Sequence, residues 1–254
     1  MGAELQKASV WKRISAWIFD VILLGILAVG LAFLLSGVLG YDRYSDSLDA
    51  AYASYESAYG ITFDISEEEY LAMTDAQREN YDAAYQALIA DEEAIHAYNM
   101  VINLNMVIIT LGILLATLAL EFVVPLLFDN GQTLGKKIFG IGVMRTDGVH
   151  LPTVQLFIRT VLGKFTVETM LPVYLLQMLL LGSIDLLGLV LLAALLLAQV
   201  ICLIVTRTNS ALHDLLAGTV TVDFMSQRIF SSTAELVEYT KRIHAERAAK
   251  QSYF

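Results

Sequence analysis

Several charged side chains of this sequence lie within long apolar stretches, where a charge needs a specific reason to be present. Arg13 and Asp20 lie in the first stretch, residues 11–38, and Glu121 lies in the second. An ionised side chain inside a membrane-spanning helix costs on the order of a few kcal/mol unless it meets a partner or water. A carboxylate in such a place can hold a proton, bind a small cation or pair with a basic group of another helix.

The elements that must position these groups are membrane-spanning helices. The chain of 254 residues is 57% hydrophobic and only 17% charged, whereas soluble domains are about 45–50% apolar and about 25% charged. The composition therefore predicts an integral membrane protein. The first apolar stretch is too long for a signal peptide, whose apolar core has roughly 7–15 residues, so we expect a retained anchor.

Four apolar segments approach or exceed the roughly 20 residues that cross a bilayer. They predict an all-α, multi-pass membrane protein with four transmembrane helices. We divide the chain into an N-terminus with the first span (1–40), an outer segment (41–98), the second span (99–128), an inner loop (129–161), the third and fourth spans (162–205) and a C-terminal segment (206–254).

Basic residues of the short connections indicate the orientation of these spans. They occur in the N-terminus, in the inner loop and after residue 206. Because Lys and Arg are enriched in cytoplasmic loops, both termini are predicted to be cytoplasmic and the outer segment extracytoplasmic. Asp185 is expected to cap the fourth span at its outer end, where the positive end of the helix dipole favours a carboxylate.

The outer segment is acidic and rich in tyrosine. Between residues 41 and 98 there are 14 acidic and two basic residues, and nine of the 12 tyrosines. A stripe of Leu48, Tyr52, Tyr55 and Tyr59 follows helical spacing, Gly60 suits the end of that helix, and a capping box is expected to start another at Thr74. We predict a helical hairpin above the membrane. Its tyrosines either pack between the helices or form a face that binds a partner.

The cytoplasmic side is expected to contain a small sheet. Residues 143–146 and 149–151 flank Asp147 and Gly148, a pattern typical of a β-hairpin, and residues 219–222 read as another short strand. The sheet would tie the inner loop to the segment after the fourth span.

The motifs that carry a family resemblance are Arg13, Asp20 and Asp214, together with GQTLGKKIFGIGV at 131–143 and LHDLLAGTVTV at 212–222. This constellation closely resembles the RDD family of bacterial and archaeal membrane proteins, named for one arginine and two aspartates. The resemblance implies an arginine that opens the first span, an aspartate within it and a second aspartate after a histidine. It also implies a prokaryotic plasma membrane, and transport is the role suggested for the family.

The spacing of Arg13 and Asp20 leaves the partner of the aspartate open. The two residues share a helix face but lie about 10 Å apart along the axis. We therefore expect a second helix to supply the partner, and the candidates of suitable depth are Arg159, Lys164 and Arg207. Asp20 is then either a structural staple within a cytoplasmic-side polar cluster, or an ion or proton site.

Glu121 supports the second of these hypotheses. If Glu121 and Asp20 shared a dry site, the two carboxylates could not both ionise cheaply, so the pair would hold a proton or recruit a cation. Lys164 and Glu168 stand four residues apart, and mutual neutralisation on one helix would account for them.

His213 and Asp214 are adjacent, but no catalytic or metal motif accompanies them. The four histidines are scattered along the chain, and a set of metal ligands is not recognisable. We predict no enzyme activity, no metal site and no cofactor. Asp214 is expected to accept hydrogen bonds from the backbone, from Arg13 or from Arg207.

Two functions remain as expectations. The first is a small transporter coupled to protons or cations, which would need a homo-oligomer or a partner membrane protein because four spans make a thin wall around a pathway. The alternative is a non-catalytic adaptor or regulator that binds a protein through the outer hairpin or the C-terminal tail. Nucleic acid is not an expected partner of this chain, whose net charge is −10.

Overall fold

The structure is a computed structural model that describes residues 6–128, 131–182 and 186–251. Asp185 lies outside these residues. The chain is mostly helical and divides into two compact units, one from residues 1–28 and 113–254 and the other from Val29–Gly112.

Among the described residues, three helices are long and apolar enough to cross a membrane. The first is α1, Val10–Leu39, and the third is α10, Leu186–Val205. The second runs over Glu92–Leu127. It consists of α5 (Glu92–Thr117), a π-helical segment π1 (Leu118–Val123) and α6 (Val124–Leu127).

The predicted third span is helical but is not one of these three helices. It consists of the π-helical segment π2, Ile158–Thr169, followed by α9, Met170–Leu180. Its first half carries Arg159, Lys164 and Glu168, so its composition is less apolar than that of the other candidates. Four spans therefore stay a prediction.

A proline accompanies the change of helix type in π1. Pro125 has no N–H, so it cannot donate to the carbonyl oxygen of Glu121 four residues earlier, as an α-helix requires. The hydroxyl of Thr160 donates to that oxygen instead, at 3.0 Å. The second apolar helix is thereby joined to π2 at the level of Glu121.

The unit Val29–Gly112 contains the predicted acidic helices. They are α2 (Tyr41–Tyr59), α3 (Glu67–Ala72) and α4 (Asp75–Ala90). Gly60 ends α2 with a φ of 63°, and Thr74 starts α4 with a capping box to Gln77, as predicted. The short α3, which has its own capping box between Ser66 and Glu69, was not predicted.

Aromatic rings connect α2, α3 and α4. The ring of Phe63 lies 5.6 Å from that of Tyr52 on α2 and 5.7 Å from that of Tyr81 on α4, and Tyr70 of α3 contacts Tyr81 at 5.5 Å. The side chain of Tyr55 donates to Asp91 just beyond α4. These contacts support the packing interpretation of the tyrosine stripe.

The other unit contains the small sheet. Strand β1, Ile141–Arg145, pairs antiparallel with β2, Thr219–Asp223, with Val143 opposite Thr221. Lys7 adds a single bridge to Val222. The predicted link between the inner loop and the segment after the fourth span is therefore confirmed.

The predicted hairpin over residues 143–151 is wrong in its second strand. The turn at Asp147 and Gly148 is present, and the Arg145 amide donates to the Val149 carbonyl. Beyond the turn, however, the backbone of His150 donates to Phe230, and Val149 makes only an isolated parallel bridge to the same residue. Val149 meets the edge of β1 opposite to β2, and beyond it the backbone pairs with Phe230 instead of continuing along β1.

Four further helices complete this unit. They are α7 (Leu134–Ile138), α8 (Thr153–Phe157), α11 (Leu212–Ala217) and α12 (Thr233–Gln251). Gly218 ends α11 with a φ of 62° and lets the chain turn directly into β2.

Candidate functional site

Asp20 is bonded to the short helix α7 rather than to a basic side chain. It is buried on α1, where its Oδ2 accepts from the Thr133 hydroxyl at 2.5 Å and its Oδ1 accepts from the Gly135 amide at 2.8 Å. Thr133 is also the cap residue of α7. The carboxylate of Asp20 thus satisfies a free N–H in the first turn of a neighbouring helix.

The expectation of a basic partner for Asp20 is therefore wrong. Arg159 and Lys164 bond to other carboxylates, and Arg207 is exposed, with no ion pair to any described residue. Two hydrogen-bond donors near a helix start can stabilise a carboxylate without a counter-ion.

Gly135 allows α7 to approach α1 this closely. A Cβ atom at Gly135 would lie 2.4 Å from the backbone oxygen of Ala16 and 2.9 Å from the carboxyl carbon of Asp20. Ala16 is itself buried. The glycine of the GQTLGKK motif and the small residue one turn before Asp20 thus explain how the hydrogen bonds of Asp20 can form.

Asp214 lies at the centre of a second group of charges. The side chain is fully buried, and its Oδ1 lies 2.9 Å from Nε of Arg159 and accepts from the Thr219 hydroxyl at 3.1 Å. Its Oδ2 lies 3.6 Å from Nη2 of Arg13. Arg13 also donates to the backbone oxygen of Asn209 at 2.5 Å. The predicted contact between Asp214 and Arg13 is present, whereas Arg207 takes no part.

These charges keep Asp214 ionised. Burial alone would raise its pKa, but the positive charge of Arg159, with smaller contributions from its other basic neighbours, holds the pKa well below its usual value. The carboxylate is therefore a permanent anion between two arginines.

His213 completes a chain of polar contacts between π2 and α11. Its Nδ1 lies 2.9 Å from both carboxylate oxygens of Glu168, and its Nε2 lies 3.0 Å from Nη2 of Arg159. Since a guanidinium only donates, Nε2 must accept, and the ring proton belongs to Nδ1 facing Glu168. A Cβ atom at Gly163 would lie 2.8 Å from the His213 Cβ, so this glycine permits the close packing.

The prediction that Glu168 neutralises Lys164, four residues before it, is wrong. Glu168 does not neutralise Lys164, because it bonds His213 and also accepts from the His213 backbone amide. The segment is a π-helix, in which hydrogen bonds join residues five apart, and the rule for residues four apart on an α-helix does not apply there.

Glu121 has a carboxylate oxygen with no hydrogen bond or ion pair to a described residue. Its side chain is buried in π1, and Oε1 pairs with the Lys164 ammonium. Among the described residues, Oε2 has no hydrogen-bond donor, and neither has the buried hydroxyl of Thr117 one turn earlier. The predicted pair of Glu121 and Asp20 is not found, since Asp20 bonds α7.

Lys136 lies within electrostatic reach of Glu121. Its ammonium has no hydrogen bond or ion pair to a described residue, although its side chain is partly buried. Burial lowers the pKa of Lys136 to about 8, the charge of Arg159 adds to this effect, and Glu121 opposes it. A lysine that titrates near neutral pH beside a buried carboxylate is suited to proton exchange.

The charged side chains of this site form ion pairs and not a set of metal ligands. Among the described residues, no group of three or more His, Cys, Asp or Glu side chains is placed to hold a metal ion. The acidic and basic groups of α1, π1, π2, α7 and α11 instead form two connected sets, one around Asp214 and one around Glu121.

Comparison with known proteins identifies a family. The model of the RDD family matches residues 7–218, which include both aspartates, Arg13 and the cluster described above. No curated protein and no solved structure matches the chain significantly.

Replacement of Gly135 by alanine tests the close approach of α7 to α1. Gly135→Ala should lower the free energy of unfolding by about 1–3 kcal/mol, because the new methyl group would meet backbone rather than a flexible side chain. Thermal unfolding in detergent, followed by tryptophan fluorescence, measures this change. Gly30→Ala is the matched control, since no atom lies within 4 Å of a Cβ there. Equal melting temperatures for the two variants would contradict the packing described.

Replacement of Asp214 tests the buried charge group. Asp214→Asn should lower the free energy of unfolding by about 3–5 kcal/mol, because the buried Arg159 and the partly buried Arg13 lose their counter-ion. Asp223→Asn is the control, since it breaks the partly exposed pair with Lys12 and should cost at most about 1 kcal/mol. Because the pKa of Asp214 is lowered by folding, its contribution is complete above an unfolded pKa of about 4 and is lost only as the pH falls through the lower folded value. Similar losses for both variants at pH 7 would refute the central role of Asp214.

Proposed function

Since the chain belongs to the RDD family, we propose that it is a four-span protein of a prokaryotic plasma membrane that exchanges a small cation for a proton. The observation that carries this proposal is the buried Glu121, with one oxygen paired to Lys164 and the other unpartnered among the described residues.

The sheet supports four spans by a parity argument. Lys7, β1 and β2 contact one another, so they lie on the same side of the membrane. The chain between two such segments must cross the membrane an even number of times. Between β1 and β2 it contains α10 and one other long helical stretch, Ile158–Leu180. If α10 crosses, then that stretch crosses as well.

The charge distribution supports a cytoplasmic position for this sheet. Lys7, Lys12, Lys136, Lys137 and Arg145 lie on or beside the segments that form it. The bias of basic residues toward the cytoplasm supports an orientation with both termini inside and the acidic segment 41–98 outside. Acidic residues at the outer surface would raise the local concentration of cations.

The exchange of ions follows from the balance of charge around Glu121. When Lys136 is protonated, Lys164 and Lys136 together more than neutralise Glu121, so a cation is repelled. When Lys136 loses its proton, the free oxygen of Glu121 can bind a monovalent cation without a net gain of charge. One cation is thereby exchanged for one proton. Asp20, Arg13 and Asp214 hold the helices around this site and take no part in the exchange.

Four membrane-spanning helices can enclose an ion pathway only thinly. We therefore expect a homo-oligomer or a complex with another membrane protein to complete it. The proposal needs no cofactor and no catalysed reaction. A carboxylate in a helix interior and an adjacent basic group are typical of ion and proton routes in membrane proteins.

Flux through proteoliposomes tests the proposed exchange. A sodium or potassium gradient should drive proton movement, and this flux should rise with pH around a midpoint near 8 because loss of the Lys136 proton opens the site. Glu121→Gln should reduce the flux at least about tenfold, the loss expected for an essential charge worth about 1.4 kcal/mol or more. Lys136→Gln should remove the midpoint near pH 8.

The control for these variants is Glu238→Gln on the exposed side of α12, which should leave the flux unchanged. All variants must keep the elution profile and melting temperature of the wild type. Flux that is unaffected by Glu121→Gln in a folded protein would remove this residue from the mechanism and the proposal with it.

A role as an adaptor is the second candidate. Tyr85, Ile89 and Tyr98 are large and exposed in the unit Val29–Gly112, and tyrosine is enriched at protein interfaces. Deletion of residues 45–95 should abolish the copurification of a partner if this surface binds one. Recovery of the same partners with the deleted chain would exclude the surface.

A further inference from the structure

The segment around α7 combines exposed apolar side chains with an exposed lysine. Ile138 at the end of α7 is 62% exposed, and Leu127, which ends the second apolar helix, is 76% exposed. Lys137 is also exposed, and its Nζ lies 3.7 Å from the centroid of the Phe128 ring. Large apolar residues in such a position need a cover other than water.

The turn after β2 extends this surface. Met225 is 85% exposed, and its Cγ lies 3.8 Å from the place of a Cβ at Gly140, two residues after Ile138. The Phe224 amide donates to the Gly140 carbonyl at 2.9 Å, and Phe224 is also exposed. The two segments are therefore neighbours, and we call Leu127, Lys137, Ile138, Phe224 and Met225 the α7 surface.

The depth of α7 follows from its contact with α1. The 30 residues of α1 have a length of about 45 Å, whereas the apolar part of a bilayer is about 30 Å thick. About ten residues must therefore lie beyond the apolar core. The exposed Trp11 and Trp17 are typical of the boundary between lipid and water, and they indicate that these residues belong to the N-terminal end of α1.

Because Gly135 contacts Ala16 and bonds Asp20, α7 starts at the level of this boundary. The same contact explains how Asp20 is accommodated, since its carboxylate meets the polar start of α7 where lipid headgroups begin. Leu127 ends the second apolar helix, and the ring of the next residue, Phe128, lies under the Lys137 ammonium, so α7 adjoins the end of that helix.

We propose that the α7 surface lies in the cytoplasmic leaflet and binds an anionic phospholipid. Ile138, Phe224 and Met225 insert between the upper parts of the acyl chains. The Lys137 ammonium, held over the Phe128 ring and without an ion pair to any described residue, contacts the lipid phosphate. The partner is thus a lipid rather than a protein, because the surface joins an apolar patch to a single cation at the depth of the headgroups.

Depth-dependent quenching tests the insertion. Ile138→Cys and Met225→Cys, each in a Cys202→Ser background, are labelled with an environment-sensitive fluorophore and placed in nanodiscs of phosphatidylcholine and phosphatidylglycerol. Lipids brominated near the start of the acyl chains should quench both labels strongly, and aqueous iodide should quench them weakly. Ala245→Cys on the exposed part of α12 is the control and should show the reverse order.

Selectivity for anionic lipid tests the role of Lys137. Lys137→Gln should weaken the preference for phosphatidylglycerol over phosphatidylcholine, measured as the lipid retained after purification, by roughly fivefold, the effect of one lysine near an anionic surface. Lys241→Gln, on α12, should have no effect. The proposal is overturned if iodide quenches the labels at positions 138 and 225 as strongly as the label at 245, or if lipid retention does not change in the folded Lys137→Gln variant.

Discussion

The arrangement of this protein depends on one buried anion. Asp214 has no exposed surface, and its charge is compensated by Arg159 and Arg13. The three residues come from α11, π2 and α1, which are far apart in the sequence. Each of these charges would be costly to bury alone, so each requires the other two to be in place.

Several other contacts depend on this one. Once α11 is fixed by Asp214, Gly218 turns the chain into β2, and β2 can meet β1. His213, the neighbour of Asp214, binds Glu168 and so aligns π2 with α11. Thus the same short helix determines where the inner loop, the N-terminus and π2 meet.

The two aspartates of the family motif, Asp20 and Asp214, have different kinds of partner. Asp214 balances arginines, whereas Asp20 receives an amide and a hydroxyl at the start of α7. Neither leaves an oxygen free of both hydrogen bonds and ion pairs to the described residues. The Asp214 Oδ2 also lacks a hydrogen bond but has Arg13 3.6 Å away, whereas the buried Oε2 of Glu121 has neither a hydrogen bond nor an ion pair to a described residue. The contacts of Asp20 and Asp214 therefore favour an architectural role for these two residues, and the ion exchange that we propose involves Glu121 and Lys136.

Much of the fold can be predicted from local sequence. The long apolar helices, the glycine stops at Gly60 and Gly218, and the capping box at Thr74 all depend on residues close together in the chain. The pairing of β1 with β2 could also be anticipated, since both strands are short, apolar and flanked by turns.

The contact of Asp214 with Arg13 was predicted, but the other partners of the charged residues could not be, for physical reasons. Asp20 accepts a hydrogen bond from a backbone amide. Nearly every residue has such an amide, so the residue types do not show which one is the donor. Glu168 faces His213 rather than Lys164 because π2 has the hydrogen bonding of a π-helix, for which the sequence carries no simple signal. Gly135 and Gly163 are the sequence signal for this packing, since a glycine within a helix often marks a close approach to another element. The sequence does not show which element approaches.

The central claim, that Glu121 binds a cation in exchange for a proton from Lys136, is tested most directly by proton release. Purified protein in a weakly buffered solution at about pH 7, below the Lys136 pKa of about 8, receives sodium or potassium chloride while a soluble dye reports the pH. The account predicts the release of about one proton for each cation bound, and no release in Glu121→Gln. Cation binding without proton release, or release that persists in Glu121→Gln, would contradict it.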